Sequence, residues 1–286
     1  MKLGIIGAEN THTAAIANLL NVQKAIPGFS VTHVWGETAD FAQKAAEAGK
    51  IPTIVRRPAD LIGQVDCVMI DHRDGKHHLK PAKLFVDAGL PVFVDKPMST
   101  SLAAAKAFLR YRRTKKVPVT TMSALPNQAC VKEVREQMKA MGGLKAIHLN
   151  GPGDYKSPYG GIWFYGIHQV DLLIDLLGAA PKSVQMVLND GDCTAVCGYA
   201  DFTATMTFVS SGLKSFSVTL VGAESSWNTK LTFDPSPYLP TAKLFTRMFK
   251  TRKEPFGDQR MLMPIATLEA MQKSIAKGAA VKVAAV

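Results

Sequence analysis

The sequence predicts an α/β protein: a doubly wound parallel sheet over residues 1–122, then a second α/β domain over 123–286 built on a mostly antiparallel sheet. Two observations carry this. Short apolar runs rich in β-formers alternate with helical periodicity through the first 122 residues. Beyond Lys182 the alternation has period two, as in Phe202, Ala204, Met206 and Phe208 against Thr203, Thr205 and Thr207, the mark of a sheet with one face on a core and one mildly polar.

The first strand spans Lys2 to Gly7, and Gly7 opens a turn into a helix running from Thr11 past Leu20. A strand, a glycine turn and a helix N-terminus form a unit suited to a phosphate. The turn departs from the dinucleotide fingerprint, because Glu9 stands at the second glycine position. Asn10, Thr11 and His12 either supply compensating donors or cap the helix, and Thr11 is expected as the cap. A second strand, Val31 to Trp35, ends beside Glu37, an acid placed either to accept from ribose hydroxyls or simply to face solvent. Its helix, 39–48, is expected to stop at Gly49. The strand 66–70 leads into the polar loop Asp71-His72-Arg73-Asp74-Gly75-Lys76-His77-His78, whose spacing matches no metal signature, so no metal is expected. A helix over 76–88 closed by Gly89, the strand Val92-Phe93-Val94, a helix capped by Ser99 or Thr100 and ending near Arg113, and a strand over 117–122 complete the first domain.

The stretch Val92 to Pro97 organises the chain. Three apolar residues between prolines read as a strand buried on both faces, with Asp95 and Lys96 at its carboxyl end. Ligands of open parallel sheets bind at that edge. Lys96 therefore either serves a ligand or merely solvates a strand end.

After residue 122 come a helix over 128–141, a strand over 144–149, the β-rich region and a closing helix over 263–277. Between them, Gly160 and Gly161 open an otherwise apolar helix on which Tyr165, His168, Asp171 and Asp175 recur on one side. A histidine one turn from a carboxylate suits a general base, although a lone histidine on an apolar helix also serves as a core residue.

No apolar run approaches a membrane span, and the chain enters a strand at once, so neither a membrane nor a signal peptide is expected. Four sparse cysteines, Cys67, Cys130, Cys193 and Cys197, suit a reducing cytoplasm. The net charge of +11 raises nucleic acid as a partner. The excess is concentrated at the end of one helix, around Arg110 to Lys116, and on an amphipathic segment, Lys243 to Lys253, where a helix dipole and a solvated face account for it. Nucleic acid is therefore not expected.

The passages Lys2–Gly7, Val65–His77, Asp95-Lys96-Pro97 and the Gly160–Asp171 helix together resemble the Gfo/Idh/MocA oxidoreductases, which include glucose-fructose oxidoreductase and inositol dehydrogenase. The resemblance runs nearly end to end. It implies an N-terminal Rossmann domain and a C-terminal α/β domain with an open, mostly antiparallel sheet, joining a homodimer or homotetramer through that sheet. It also implies hydride transfer between NAD(P) and a hydroxyl carbon of a sugar, inositol or related polyol, and Glu37 with no arginine directly after it favours NAD over NADP. On that reading Lys96, His168, Tyr165 and Asp171 are catalytic, and Gly7, Asn10, Thr11, His12, Glu37, His72, His77, Asp95 and Lys96 hold the cofactor. Phe164 stands where the family usually has an aspartate. Two other expectations remain open: elimination or glycoside cleavage assisted by transient oxidation, and a family-derived binding protein without turnover.

Overall fold

The computed structural model describes residues 1–213 and 215–286. The chain divides into two compact units, one of residues 1–122 with 238–261 and one of residues 123–237 with 262–286.

The first unit opens with β1 (Lys2–Ile6), α1 (Thr11–Ala17) continued by a π-helical turn, β2 (Ser30–Trp35), α2 (Ala39–Gly49) and β3 (Thr53–Ile54). β4 (Cys67–Ile70), α3 (Leu79–Asp87), β5 (Val92–Val94), α4 (Leu102–Thr114) and β6 (Val119–Thr120) follow. The strands pair in parallel in the order β3-β2-β1-β4-β5-β6, the doubly wound order in which the chain reverses direction beside β1. β4 and β5 are buried at every position, as strands covered on both faces must be.

Several boundaries differ from expectation for local reasons. α2 runs through Gly49, and the left-handed residue that caps it is Lys50 (φ 48°). Gly49 instead allows close approach, since a Cβ there would lie 2.3 Å from Ala17 Cβ. The cap of α4 is Ser101, whose hydroxyl accepts from the Ala104 amide at 3.3 Å, not Ser99 or Thr100. The helix expected over 76–88 is a 3₁₀ turn, Gly75–His77, followed by α3.

The second unit contains α5 (Cys130–Ala140), β7 (Leu144–Pro152), α6 (Trp163–Leu177), β8 (Ser183–Asn189), β9 (Asp192–Gly198), β10 (Thr203–Val209), β11 (Phe216–Gly222) and β12 (Ser226–Leu231). Its sheet runs β12-β11-β7-β10-β9-β8 with a final short strand at Val281–Lys282, antiparallel throughout except where β7 meets β10. Ile147, Leu149, Ala204, Met206, Phe208, Val218 and Leu220 fill the covered face. The other face carries cross-strand polar pairs, His148 with Thr205 at 2.6 Å and Thr194 with Thr207 at 3.1 Å.

α7 (Leu239–Thr251), which the sequence reading gave to the later domain, belongs to the first unit. Its spacing explains why: Ala242, Phe245, Met248 and Phe249 form one apolar stripe, and Phe245 stacks on Phe93 of β5 at 4.6 Å between ring centroids. The following segment enters α8 (Asp258–Lys277), five residues earlier than the 263 start expected. There the buried Arg112 of α4 pairs with both Glu254 and Asp258, and Glu254 also accepts from the Val119 amide at 2.8 Å. Removing Arg112 would take the buried cation from both half-buried carboxylates, leaving Glu254 the Val119 amide and Asp258 the more exposed Arg113 at 2.8 Å. Arg112→Ala is expected to cost about 3–5 kcal/mol in urea unfolding; a loss below about 1 kcal/mol would show that the cluster does not hold this segment.

Candidate active site

The carboxyl ends of β1, β4 and β5 carry a closely connected polar cluster. Asp71 follows β4, Asp95 follows β5, and Asn10, His12 and Thr13 come from the start of α1. Asn10 caps α1 with its side-chain oxygen, and its amide N–H₂ donates to both Asp71 Oδ1 (3.0 Å) and Asp95 Oδ2 (3.1 Å). Thr11, expected as the cap, is exposed at the first helical position. His12 Nδ1 lies 3.2 Å from Asp95 Oδ1, with its ring 4.8 Å from that of Tyr238. Lys96 is buried, its ammonium 3.5 Å from Asp95 Oδ2.

Two carboxylates so near each other cannot both ionise at ordinary pH. Burial, reinforced by the neighbouring Asp95 charge, raises Asp71 well above the usual carboxylate range. Burial opposes ionisation of Asp95 too, but Lys96 and His12 more than offset it and hold Asp95 below the ordinary value. One atom each of His12, Asp71 and Asp95 lies within 4.8 Å of the others, a spacing that admits a cation, but the Asn10 amide already bridges the two carboxylates.

Gly7 has φ +111°, and a Cβ there would meet the Asp71 carbonyl carbon and the His72 nitrogen at 2.6 Å, so the turn after β1 can lie against the end of β4 only as glycine. The amides of the next two residues, Ala8 and Glu9, both donate to Glu37 Oε2, at 2.8 and 3.0 Å. Glu37 Oε1 is buried with no hydrogen-bond partner, as is His72 Nδ1. Both residues line a cleft of about 690 Å³ with Ile6, Trp35, Pro58 and Leu84. Burial, first, and the neighbouring His78 lower His72 to about 4, so its ring is neutral at pH 7. Arg57 and Lys76 on the cleft rim are already paired with Asp60 and Asp74, at 2.7 and 2.8 Å.

His77, the expected cofactor residue of this loop, is exposed at the cleft rim. Its neighbour His78 is the buried one, with Nδ1 2.8 Å from the Pro97 carbonyl and Nε2 2.8 Å from the His72 carbonyl. It ties the turn after Lys96 to the loop after β4. The sequence offered two adjacent histidines, and only the direction of the helix start separates them.

In the second unit α6 carries His168, Tyr165 and Asp171. His168 Nδ1 is 2.7 Å from the hydroxyl of Ser123, and the Ser123 amide donates to Asp171 Oδ2 at 2.7 Å. Ser123 thus links the histidine and the carboxylate and was missed; its signal was a polar residue directly after the strand expected over 117–122. Tyr165 is 43% exposed, its ring 5.8 Å from that of His168. Asp175, one turn further on, pairs with Arg135. Phe164 packs against Tyr159 and Tyr165 at 5.0 and 4.9 Å, and Phe216 lies edge-on to His168 at 6.0 Å.

Residues 1–123 match the model of the Gfo/Idh/MocA family, described as an oxidoreductase family with an NAD-binding Rossmann fold. Over those residues the chain is similar to the Gfo/Idh/MocA oxidoreductases. No curated protein matches the chain in sequence. Among solved structures, myo-inositol 2-dehydrogenase from Lactobacillus plantarum is similar over 99% of each chain at 14% identity and a TM-score of 0.84. Scyllo-inositol dehydrogenase from Lactobacillus casei, with bound NAD(H) and scyllo-inositol, is similar over 99% of each chain at 14% identity and a TM-score of 0.82. GenD2 from gentamicin A biosynthesis, in complex with NAD, covers 100% of this chain and 97% of its own at 16% identity and a TM-score of 0.85. At these identities the likeness is one of fold. Among the described residues no helix is long and apolar enough to cross a membrane.

Proposed function

We propose that this protein is an NAD-dependent dehydrogenase acting on a hydroxyl-bearing carbon of a sugar, inositol or related polyol. The observation that carries the reading is a buried lysine, Lys96, held beside an ionised Asp95 at the ligand-binding edge of a domain from an NAD-binding oxidoreductase family. The inositol dehydrogenases of the same fold support the substrate class.

The residues at the sheet edge fit the cofactor. Glu37 presents a buried carboxylate oxygen without a partner to the cleft, the acceptor a ribose diol would satisfy, and its charge disfavours the 2′-phosphate of NADP. When bound, the nicotinamide accepts or gives up the hydride. Lys96 then holds the substrate oxygen and stabilises the charge developing on it, while His168 takes the hydroxyl proton, kept in one orientation by Ser123. Asp171 positions Ser123 through its amide, and Tyr165 with Phe216 supplies flat apolar surface beside the histidine for a ring's C–H face.

The test is a fluorescence titration of the protein with NADH and NADPH, then incubation with NAD and a panel of cyclic polyols while NADH absorbance is followed. Tight NADH binding and NADH accumulation are expected. Substrate consumption without NADH would replace this reading with oxidation-assisted elimination, and absence of nicotinamide binding would leave a binding protein. Glu37→Ala is expected to weaken NADH by about 10–100-fold, the worth of a charge-assisted hydrogen bond of about 1.5–3 kcal/mol. An unchanged dissociation constant would remove Glu37 from the cofactor site.

A further inference from the structure

We propose that Asp71 is a neutral, proton-donating acid that clamps the glycine turn to α1 and so positions that turn for the dinucleotide.

The assignment comes from counting protons at Thr13. Its buried hydroxyl oxygen lies 2.7 Å from the Gly7 carbonyl and in a short hydrogen bond with Asp71 Oδ2. A hydroxyl has one proton, and a carbonyl has none to give. The Thr13 proton therefore goes to Gly7, and the proton on the Asp71 side belongs to Asp71. The other Asp71 oxygen accepts from Asn10, which a neutral carboxyl's carbonyl also does.

The groups facing Asp71 agree with this. Asp95 and Glu37 are negative and oppose a further negative charge. Lys96 is positive, but it lies against Asp95, and His12 is likewise nearer Asp95 (3.2 Å) than Asp71 (3.9 Å). Asp71 is fully buried, so water cannot supply the missing compensation.

The clamp sits at the point that matters for the cofactor. Asp71 and Thr13 are joined to the Gly7 carbonyl, and the next two amides of the turn are held by Glu37. An ionised Asp71 would leave the single Thr13 proton to serve either Gly7 or Asp71 but not both, so the clamp would open on one side, and it would repel Asp95 and add a negative charge beside a diphosphate. The consequence for NADH rests on the cofactor reading above; the protonation of Asp71 does not.

Infrared spectroscopy of the wild-type protein at pH 7 tests the protonation directly. The carbonyl stretch of a neutral carboxylic acid, shifted in D₂O, should be present in the wild type and lost in Asp71→Asn. Absence of the band, or its survival in Asp71→Asn, overturns the proposal. If that variant does not fold, Thr13→Val keeps the acid but removes its acceptor, so the band should move to higher frequency; an unmoved band overturns the proposal equally. For function, wild-type NADH affinity should fall roughly tenfold as pH rises through the folded Asp71 value, whereas Asp71→Asn, whose amide still donates to Thr13, should lack that fall. The same fall in both variants rules out the positioning role. Failure of both to bind NADH at any pH, with the infrared band intact, would count against the cofactor reading alone.

Stability gives the sign independently. An unfolded aspartate releases its proton near pH 4, and folded Asp71 releases it later. The stability supplied by this group is therefore full below about pH 4 and is lost as pH rises through the folded value. Thermal melts of the wild type should show that decline relative to Asp71→Asn.

Discussion

Replacing Lys96 with alanine is expected to lower turnover by about 10²–10³-fold, the usual loss when one preorganised charge-stabilising group is removed from a reacting oxygen. It should also cost about 3 kcal/mol of stability, because Asp95 would keep Asn10 and His12 but lose its nearest ammonium while buried. The two losses separate in the double variant. Asp95→Asn with Lys96→Ala removes the stranded charge, so the melting temperature should return toward wild type while turnover stays low. If turnover returned as well, Lys96 would be a structural partner of Asp95 and nothing more. A single Lys96→Ala enzyme with wild-type turnover would end the proposed role outright.

His168→Ala is expected to lower turnover by about 10²–10⁴-fold, the range spanned by general acid–base groups. To act as a base, His168 must present Nε2 unprotonated, which requires Nδ1–H to donate to the Ser123 hydroxyl. That oxygen has two lone pairs and also receives the Leu125 amide at 3.1 Å, so it can take both. Ser123→Ala removes the acceptor that selects this tautomer and should cost about tenfold, roughly the worth of one hydrogen bond, with a shift in the pH profile of kcat/KM. Ser123→Thr should restore most of the loss. A Ser123→Ala enzyme with reduced turnover but an unmoved pH profile would mean that Ser123 only supports packing. Unimpaired turnover in His168→Ala would assign the proton to another group.

These expectations depend unequally on what could be read in advance. The alternation of strands and helices was plain because both periods are local, and the sheet with period-two alternation was plain for the same reason. Lys96 and Asp95 stood out because any residue after an apolar parallel strand falls at the sheet's carboxyl edge. Asn10, His12 and Glu37 were legible as polar residues at the ends of β1 and β2, though not in their partnerships. Asp71 was passed over as one polar residue in a polar loop, and its proton depends on Thr13 and Asp95, which reach it only through folding. His77 and His78 could not be told apart, because a 3₁₀ turn replaced the expected helix start and rotated one of them inward.

By itself the sequence determined the class of fold, the strand edge that gathers the charges, and the residue types available there. These follow from short-range pattern, since apolar periodicity decides which face of an element leaves water. Tertiary structure alone decided that α7 serves the first unit, that Glu37 engages the turn amides, that Ser123 joins His168 to Asp171, and that Asp71 shares a site with Asp95. Hydrogen bonds and charge states of buried groups are set by neighbours distant along the chain, and no local pattern encodes how many protons such neighbours bring.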